Sequence, residues 1–539
     1  MHTWLHAFLP SVALCCALLL ATSAECARGA DAFSITPLRT EAGRMLSEDF
    51  SVDESFVSHL PILVLDPAEG GAADEEWPGR LAVYDRDGDA NSLEDAPRVV
   101  LDVFVRERSG DSPLGKKSRS LELAGGSSSD PVSLAGLPAG GEWFLHGSTR
   151  DKGMLRNGVA YELGRLIMPD ATPRTRYCEV LVKRDGAYYY EGIHILSESV
   201  ERLYWELALK GGSPMQLQFS PGQSRRGGNM VRTGSRIFTV VQASQDNVLS
   251  EEARRSIVVE LEKIESTLYA IKPDVFLGYA KLLDENSAVD LYILDALMLS
   301  AFESSVSYRL CKGADGRIRF LPEWEYDTAL DNASRRRNPL PFETGPVRVP
   351  PLSVLAKRLP VWRTLESGGD IRDLRFYPVY QAMGGENFLW FDRLFLSRSF
   401  LNTLYARYRE LRRAELSPDR VYAVVDDLGR KLDVALERDW YRWRAEYTST
   451  SGPYALLPFV DSQGKRHIRQ TWSFDQELVK IAHCLREQDG FLVKQMGELA
   501  WMTGELYDKT RGGSRQSTYA LICLFGMLGL MHVLSRRLG

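Results

Sequence analysis

Glu325, Asp327 and Asp331 place three carboxylates within one short stretch, Trp324-Glu-Tyr-Asp-Thr-Ala-Leu-Asp-Asn332. Acidic side chains grouped this way at the end of a strand suit Mg²⁺, which takes oxygen ligands and shares its shell with substrate phosphates. The same spacing suits a solvated acidic turn, and spacing by itself leaves both readings standing. Glu325 and Asp327 are two residues apart, so an extended segment would point both the same way.

Elements able to hold such a cluster lie on either side. Arg317 to Leu321 alternates polar and apolar residues, as a half-buried strand does. Ser307 to Cys311 is a second strand-like run, and Lys312-Gly-Ala-Asp-Gly316 joins the two as a β-hairpin. Ser287 to Ala301 is mostly apolar all round and reads as a buried helix delivering the chain to that hairpin. Met154 to Met168 carries Leu155, Val159, Leu163 and Leu166 on one helical face. Glu179 to Val182 and Ala187 to Leu196 flank Lys183-Arg-Asp-Gly186, a second hairpin signal. Leu60 to Asp66, Arg80 to Tyr84, Val99 to Val105 and Ser118 to Leu123 read as further strands. Ser250, followed by Glu251 and Glu252, caps a helix to about Ile271. From Phe388 the pattern is helical, with one apolar stripe from Val421 through Leu428 and Leu436 to Trp443. Strands dominate the first half and helices the second, an α+β pattern.

Two lysines, Lys116 and Lys117, follow Gly110-Asp-Ser-Pro-Leu-Gly115. The run matches a phosphate loop only in part, because Lys117 stands where a metal-binding Ser or Thr belongs. A strand-like run follows it, whereas a phosphate loop must open a helix. The reading is a loop between strands that presents two lysines. Gln223 to Arg236 is basic and glycine-rich, and reads as a surface loop. Metal and nucleophile signatures such as H-E-x-x-H, paired C-x-x-C and G-x-S-x-G are absent from the sequence. The histidines are scattered, and His194 within its hairpin reads as a packed residue.

The chain has 539 residues, 26% charged and 44% hydrophobic, with net charge −6. That is globular material without a global case for nucleic acid. Phe8 to Ala21 is almost wholly apolar and Thr22-Ser-Ala24 offers small residues, the pattern of a secretory signal. Thr518 to Leu534 is an apolar run of about 25 Å as a helix, followed by Arg536 and Arg537. It reads as a membrane span, or as a sorting tail of the kind found on some bacterial surface proteins. Cys178, Cys311 and Cys484 lie outside both ends, and one disulfide with one spare thiol is compatible with them.

Several of these segments together resemble the CotH (spore coat protein H) kinase family. Leu60-Pro-Ile-Leu-Val-Leu-Asp66 comes first, then Lys116-Lys-Ser118, then Trp143-x-Leu145-x-Gly147. Asp151-Lys-x-x-Leu-Arg-Asn157, Gly192-Ile-His-Ile-Leu-Ser-Glu198 and Trp324-Glu-Tyr-Asp327 follow in the family's order, and the likeness runs from about Leu60 to Trp443. The resemblance implies an atypical protein-kinase-like fold that phosphorylates exported proteins with ATP and Mg²⁺ or Mn²⁺. Carried over, Lys117 or Lys116 neutralises ATP phosphates and Glu198 orients that lysine. Arg156 and Asn157 shape the nucleotide cleft, and Asp327 holds the metal with Glu325 and Asp331. The family's usual Asp and Asn before the hairpin are replaced here. Glu303 is the carboxylate available as catalytic base, and Ser307 stands at the Asn position. Glu325 likewise replaces an Asp.

The expected organisation is a signal peptide (1–24), a linker (25–55), a CotH-like domain (56–450) and a C-terminal extension (451–516). A membrane helix or sorting tail (517–535) and a basic end (536–539) complete it. The expected function is transfer of phosphate from ATP to Ser or Thr of exported proteins, at the cell envelope. A kinase fold used as an assembly scaffold is the main alternative. A polymer hydrolase using Glu325 and Asp327 is a third reading, disfavoured by two carboxylates so close in sequence.

Overall fold

The computed structural model describes residues 46–47, 49–68, 76–86, 90–107, 115–125, 130–147, 150–200, 203, 207, 216–219, 230–233, 237–241, 249–270, 272–298, 308–322, 325–330, 332, 389–394, 397–448, 459–460, 466–467 and 474–503. The two expected terminal segments, signal and span, lie outside them. Among the described residues no helix is long and apolar enough to cross a membrane.

Among the described residues, ten strands come from the first 200 positions. They are β1 (Ser51–Val52), β2 (Val57–Ser58), β3 (Ile62–Pro67), β4 (Glu76–Tyr84), β5 (Asn91–Ser92), β6 (Val99–Glu107), β7 (Arg119–Leu123), β8 (Glu142–His146), β9 (Thr175–Arg184) and β10 (Ala187–Glu198). The large sheet runs β1-β10-β8-β7-β6-β4-β3-β9, and β10 also pairs with β9. The ladder from β10 around to β9 therefore closes on itself. The closing contact is parallel, β3 on β9, while every other pairing is antiparallel. Period-two alternation puts one face of each strand into a shared interior of Leu63, Leu81, Val103, Val105, Leu121, Trp143, Leu145 and Val180, all buried. Closure removes sheet edges. Within that interior, Leu121→Ala would cost about 2–5 kcal/mol.

The hairpin signal at Lys183–Gly186 is β9 and β10, with Asp185 and Gly186 at positive φ. Gly192 interrupts the register as a bulge at φ +101. A side chain there would collide with Asp439 Oδ1 and meet Trp443 Nε1 at 2.9 Å. The glycine thus lets a helix lie directly on the strand.

A second sheet, β12 (Met230–Arg232), β13 (Ile237–Val241), β11 (Gln216–Phe219), β14 (Tyr308–Lys312) and β15 (Ile318–Leu321), is antiparallel throughout. The pair β14–β15 is the hairpin expected before the acidic cluster. Helices α1 (Arg156–Ile167), α2 (Glu251–Leu268), α3 (Glu285–Met298), α4 (Arg398–Arg413), α5 (Pro418–Tyr447) and α6 (Phe474–Thr503) pack with this sheet around the largest core. Ser250 caps α2 as expected, its side chain accepting from Ala253 N. Every one of α3's residues from Ala288 to Met298 except Asp290 is buried, as its all-round apolarity requires. The chain is α+β, sheet-rich first and helical after. Cys178, Cys311 and Cys484 are buried and form no disulfide with one another, so the bridge that the sequence left possible is not made among them.

Candidate functional site

α1 starts on Leu155, which offers no side-chain cap. Asp151 does that work from outside: its Oδ2 accepts from Arg156 N at 2.7 Å and its Oδ1 from Arg156 Nη1 at 2.7 Å. The first turn of α1 then holds the segment after β15. Asn157 Oδ1 accepts from Tyr326 N at 2.7 Å, while its Nδ2 donates to Asp327 Oδ1 at 2.5 Å. Arg156 Nε donates to Ala329 O at 2.9 Å, and Asn332 Nδ2 donates to Asp327 O at 2.6 Å and to Arg150 O at 2.7 Å. Leu330, at φ +49, donates its N–H to Met298 O at the end of α3.

Asp327 is therefore a buried carboxylate, 1% exposed, in a turn held from three sides. The extended arrangement expected for Glu325 and Asp327 is corrected: the turn begins at Asp327, and Glu325 stays half-buried while Asp327 goes inside. The fold adds a partner that motif reading missed. His146, the last residue of β8, lies with Nε2 at 2.8 Å from Asp327 Oδ1 and 3.0 Å from Asn157 Nδ2. One nitrogen cannot donate to Asp327 and accept from Asn157 at once, so the tautomer selects between the two bonds. His146 is the residue before Gly147 in the quoted Trp143-x-Leu145-x-Gly147 motif, so the segment was legible and the side chain was not.

Arg156 is fully enclosed and also pairs with Glu477 of α6 at 2.8 Å. Burial opposes its charge, yet Glu477 and Asp151 together hold it above the ordinary arginine value.

The two lysines separate. Lys116 is 0% exposed and donates to Asp439 Oδ1 at 2.6 Å, Tyr447 Oη at 3.1 Å and Ile193 O at 3.3 Å. Asp439 also accepts from Ile193 N at 2.8 Å and from Tyr447 Oη at 2.7 Å. Burial pushes the Lys116 ammonium below its ordinary value against the pull of Asp439, with Asp151 and Asp327 adding to that pull. Lys117 stays partly exposed and pairs with Glu107 at 3.5 Å. Glu198 was expected to orient the lysine, and this pairing is corrected. It sits at the far end of β10 and accepts from Arg174 N at 2.6 Å, whereas Asp439 of α5 holds Lys116. His194 is packed, as expected, its ring nitrogens 3.1 Å from Gly192 O and Lys117 O. Burial, with Lys116 and Arg119, pushes it well below the ordinary histidine value. Glu303 and Asp331 lie outside the described residues.

The assembled chemistry is one anchored carboxylate with an imidazole and an amide upon it, and two buried cations close by. Mg²⁺ is commonly held by one or two carboxylates, with water and phosphate oxygens completing its shell. Asp327 supplies one such oxygen donor, with Glu325 two residues away. Among the described residues no group of three or more His, Cys, Asp and Glu side chains gathers as a complete metal cage.

Comparison with curated proteins gave no match. Comparison with protein families gave one described as CotH kinase protein, matched over residues 109–472, which takes in Lys116, His146, Asn157, Asp327 and Asp439. The chain belongs to the CotH kinase family.

Proposed function

We propose that this protein is a CotH-type kinase that transfers the terminal phosphate of ATP, with Mg²⁺ or Mn²⁺, to Ser or Thr of exported proteins. The observation that carries the reading is the Asp327 carboxylate, buried and fixed by Asn157 and His146 beside Arg156. Phosphoryl transfer asks mainly for placed charge and metal, which such a carboxylate supplies. The substrate hydroxyl oxygen would bond to the γ-phosphorus as the bridge to ADP breaks. Its proton would pass to a carboxylate base, for which Glu303 is the sequence candidate. Asp327, with Glu325 and Asp331, would hold the metal. Lys117, the more accessible of the two lysines, is the better placed to meet phosphate oxygens in solution. The apolar ends 1–24 and 517–535 support an exported body anchored at, or sorted to, the cell envelope.

One observation favours the second reading, a kinase fold serving as an assembly scaffold. Lys116 spends its hydrogen bonds on Asp439, Tyr447 and Ile193 and has none left for a phosphate. The deciding experiment is label transfer from radiolabelled ATP by the full chain, beside Asp327→Asn. Transfer by the parent, reduced at least a hundredfold in the variant, upholds the kinase. ATP-dependent stabilisation without transfer by the parent moves the reading to the scaffold.

A further inference from the structure

Two buried cations, Arg156 against the Asp327 turn and Lys152 four residues before it in the chain, keep donor atoms that no described protein group satisfies. Arg156 uses Nε on Ala329 O and Nη1 on Asp151 and Glu477, while its Nη2 has no hydrogen-bond partner. Lys152 is 2% exposed and its Nζ likewise has none. Both residues lie against the first turns of α6. Glu477 bonds Arg156, and a Cβ on Gly153 would sit 3.5 Å from Glu477 Cβ and 3.6 Å from Ile481 Cδ1. Trp440 Nε1 of α5 donates to Lys152 O at 2.9 Å and fixes the backbone from the other side.

The charges around Lys152 are uneven. Glu477 attracts it, but Lys480 and Arg156 repel it, and Glu477 already carries the Arg156 bond. Burial is the main cause pushing its ammonium down to about 8, with Lys480 and Arg156 adding to that and Glu477 opposing it. A buried donor left unmade is costly and calls for a partner. Two such donors, both cationic and within electrostatic reach of each other, call for an anion.

We propose that Lys152 Nζ and Arg156 Nη2 form an anion subsite against α6 that takes a phosphate group. The choice of phosphate over another anion rests on the kinase reading; the subsite itself rests on the two orphaned donors. Its wall is particular to this chain's C-terminal part, because Glu477, Lys480 and Ile481 lie beyond residue 472, where the family match stops.

Thermal unfolding of the full chain with inorganic phosphate and with pyrophosphate tests this, for the parent, Lys152→Met and Lys152→Arg. Each charge-assisted bond contributes enough for about a tenfold change in affinity or more. The parent is expected to be stabilised, Lys152→Met to bind phosphate about tenfold more weakly or worse, and Lys152→Arg to recover part of the response. Without phosphate, Lys152→Met is expected to melt no lower than the parent, since it removes an uncompensated buried charge. Equal responses in the parent and Lys152→Met overturn the subsite. So does a parent indifferent to both anions, or a Lys152→Met that melts far lower without any anion, which would make the lysine structural. Repeating the titration with ATP–Mg²⁺ and with a phosphoserine peptide separates nucleotide from phosphorylated product as the source. A weakened response to either one upholds the subsite. A parent that responds to phosphate but never transfers label sinks the kinase and leaves the subsite standing.

Discussion

Lys116 and Lys152 are two buried lysines, and the fold treats them in opposite ways. Lys116 meets a carboxylate, a phenol and a carbonyl, with α5 lying directly over it through Gly192. Lys152 lies beside α6, where the carboxylate that attracts it, Glu477, is already bonded to Arg156. Equal depth and equal charge therefore give two different objects. A buried cation whose donors are spent stabilises one arrangement of helix and sheet. A buried cation whose donors are idle is poised for something to arrive. The Glu179–Arg438 pair, from β9 and α5 at 2.5 Å, belongs to the first kind and ties the same helix to the same sheet.

The largest break in this contrast comes from Asp439→Ala. It leaves the Lys116 ammonium and Ile193 N–H buried without their carboxylate, and is expected to lower stability by about 3–5 kcal/mol in urea unfolding. The paired change Asp439→Leu with Lys116→Met removes both charges and should lose much less. A cost under about 1 kcal/mol for Asp439→Ala alone would mean that Lys116 is not held structurally.

Next in size is the pH dependence of the anion-free protein. Lys152 sits at about 8 when folded and 10.5 otherwise. Below pH 8 both states carry the proton, and the buried charge weighs fully against folding. Between 8 and 10.5 the unfolded state binds more protons, so this group makes stability rise with pH, by about 3 kcal/mol across the window. The parent minus Lys152→Met difference isolates it, and a flat difference would contradict an unpartnered amine.

The smallest effect runs the other way and belongs to Glu179. Burial pushes its carboxyl up, but the Arg438 charge outweighs that and holds it below the ordinary 4.5. The folded state therefore binds fewer protons, and the stability this pair contributes is lost as pH falls below 4.5 through the folded value. Arg438→Met should flatten that acid limb, while Lys152→Met should leave it unchanged. If both variants keep the parent's acid limb, the Glu179 assignment is wrong.

Local pattern carried much of the architecture. The hairpins at Lys183–Gly186 and Lys312–Gly316 follow from alternation interrupted by turn residues, a signal complete within a dozen positions. The α5 stripe is likewise local, and Val421, Leu428, Leu436 and Trp443 are all buried. Asn157 and Asp327 were legible as members of motifs, and the fold brings them to 2.5 Å. The choice of Glu198 for the lysine was not legible, because many carboxylates could serve and pattern does not say which helix lies over which strand.

By itself, then, the sequence determined many of the strands and helices, the α+β order and the motif residues that gather around Asp327, but not β12, whose Met230–Arg232 lies in the stretch read as a surface loop. Tertiary structure alone decided that Asp439 meets Lys116 across 323 positions, that Glu477 meets Arg156 across 321, and that His146 turns onto Asp327. The physical reason is range. Hydrophobic periodicity acts between neighbours along the chain, whereas the partner of a buried charge is whichever group close packing leaves within about 3 Å of it.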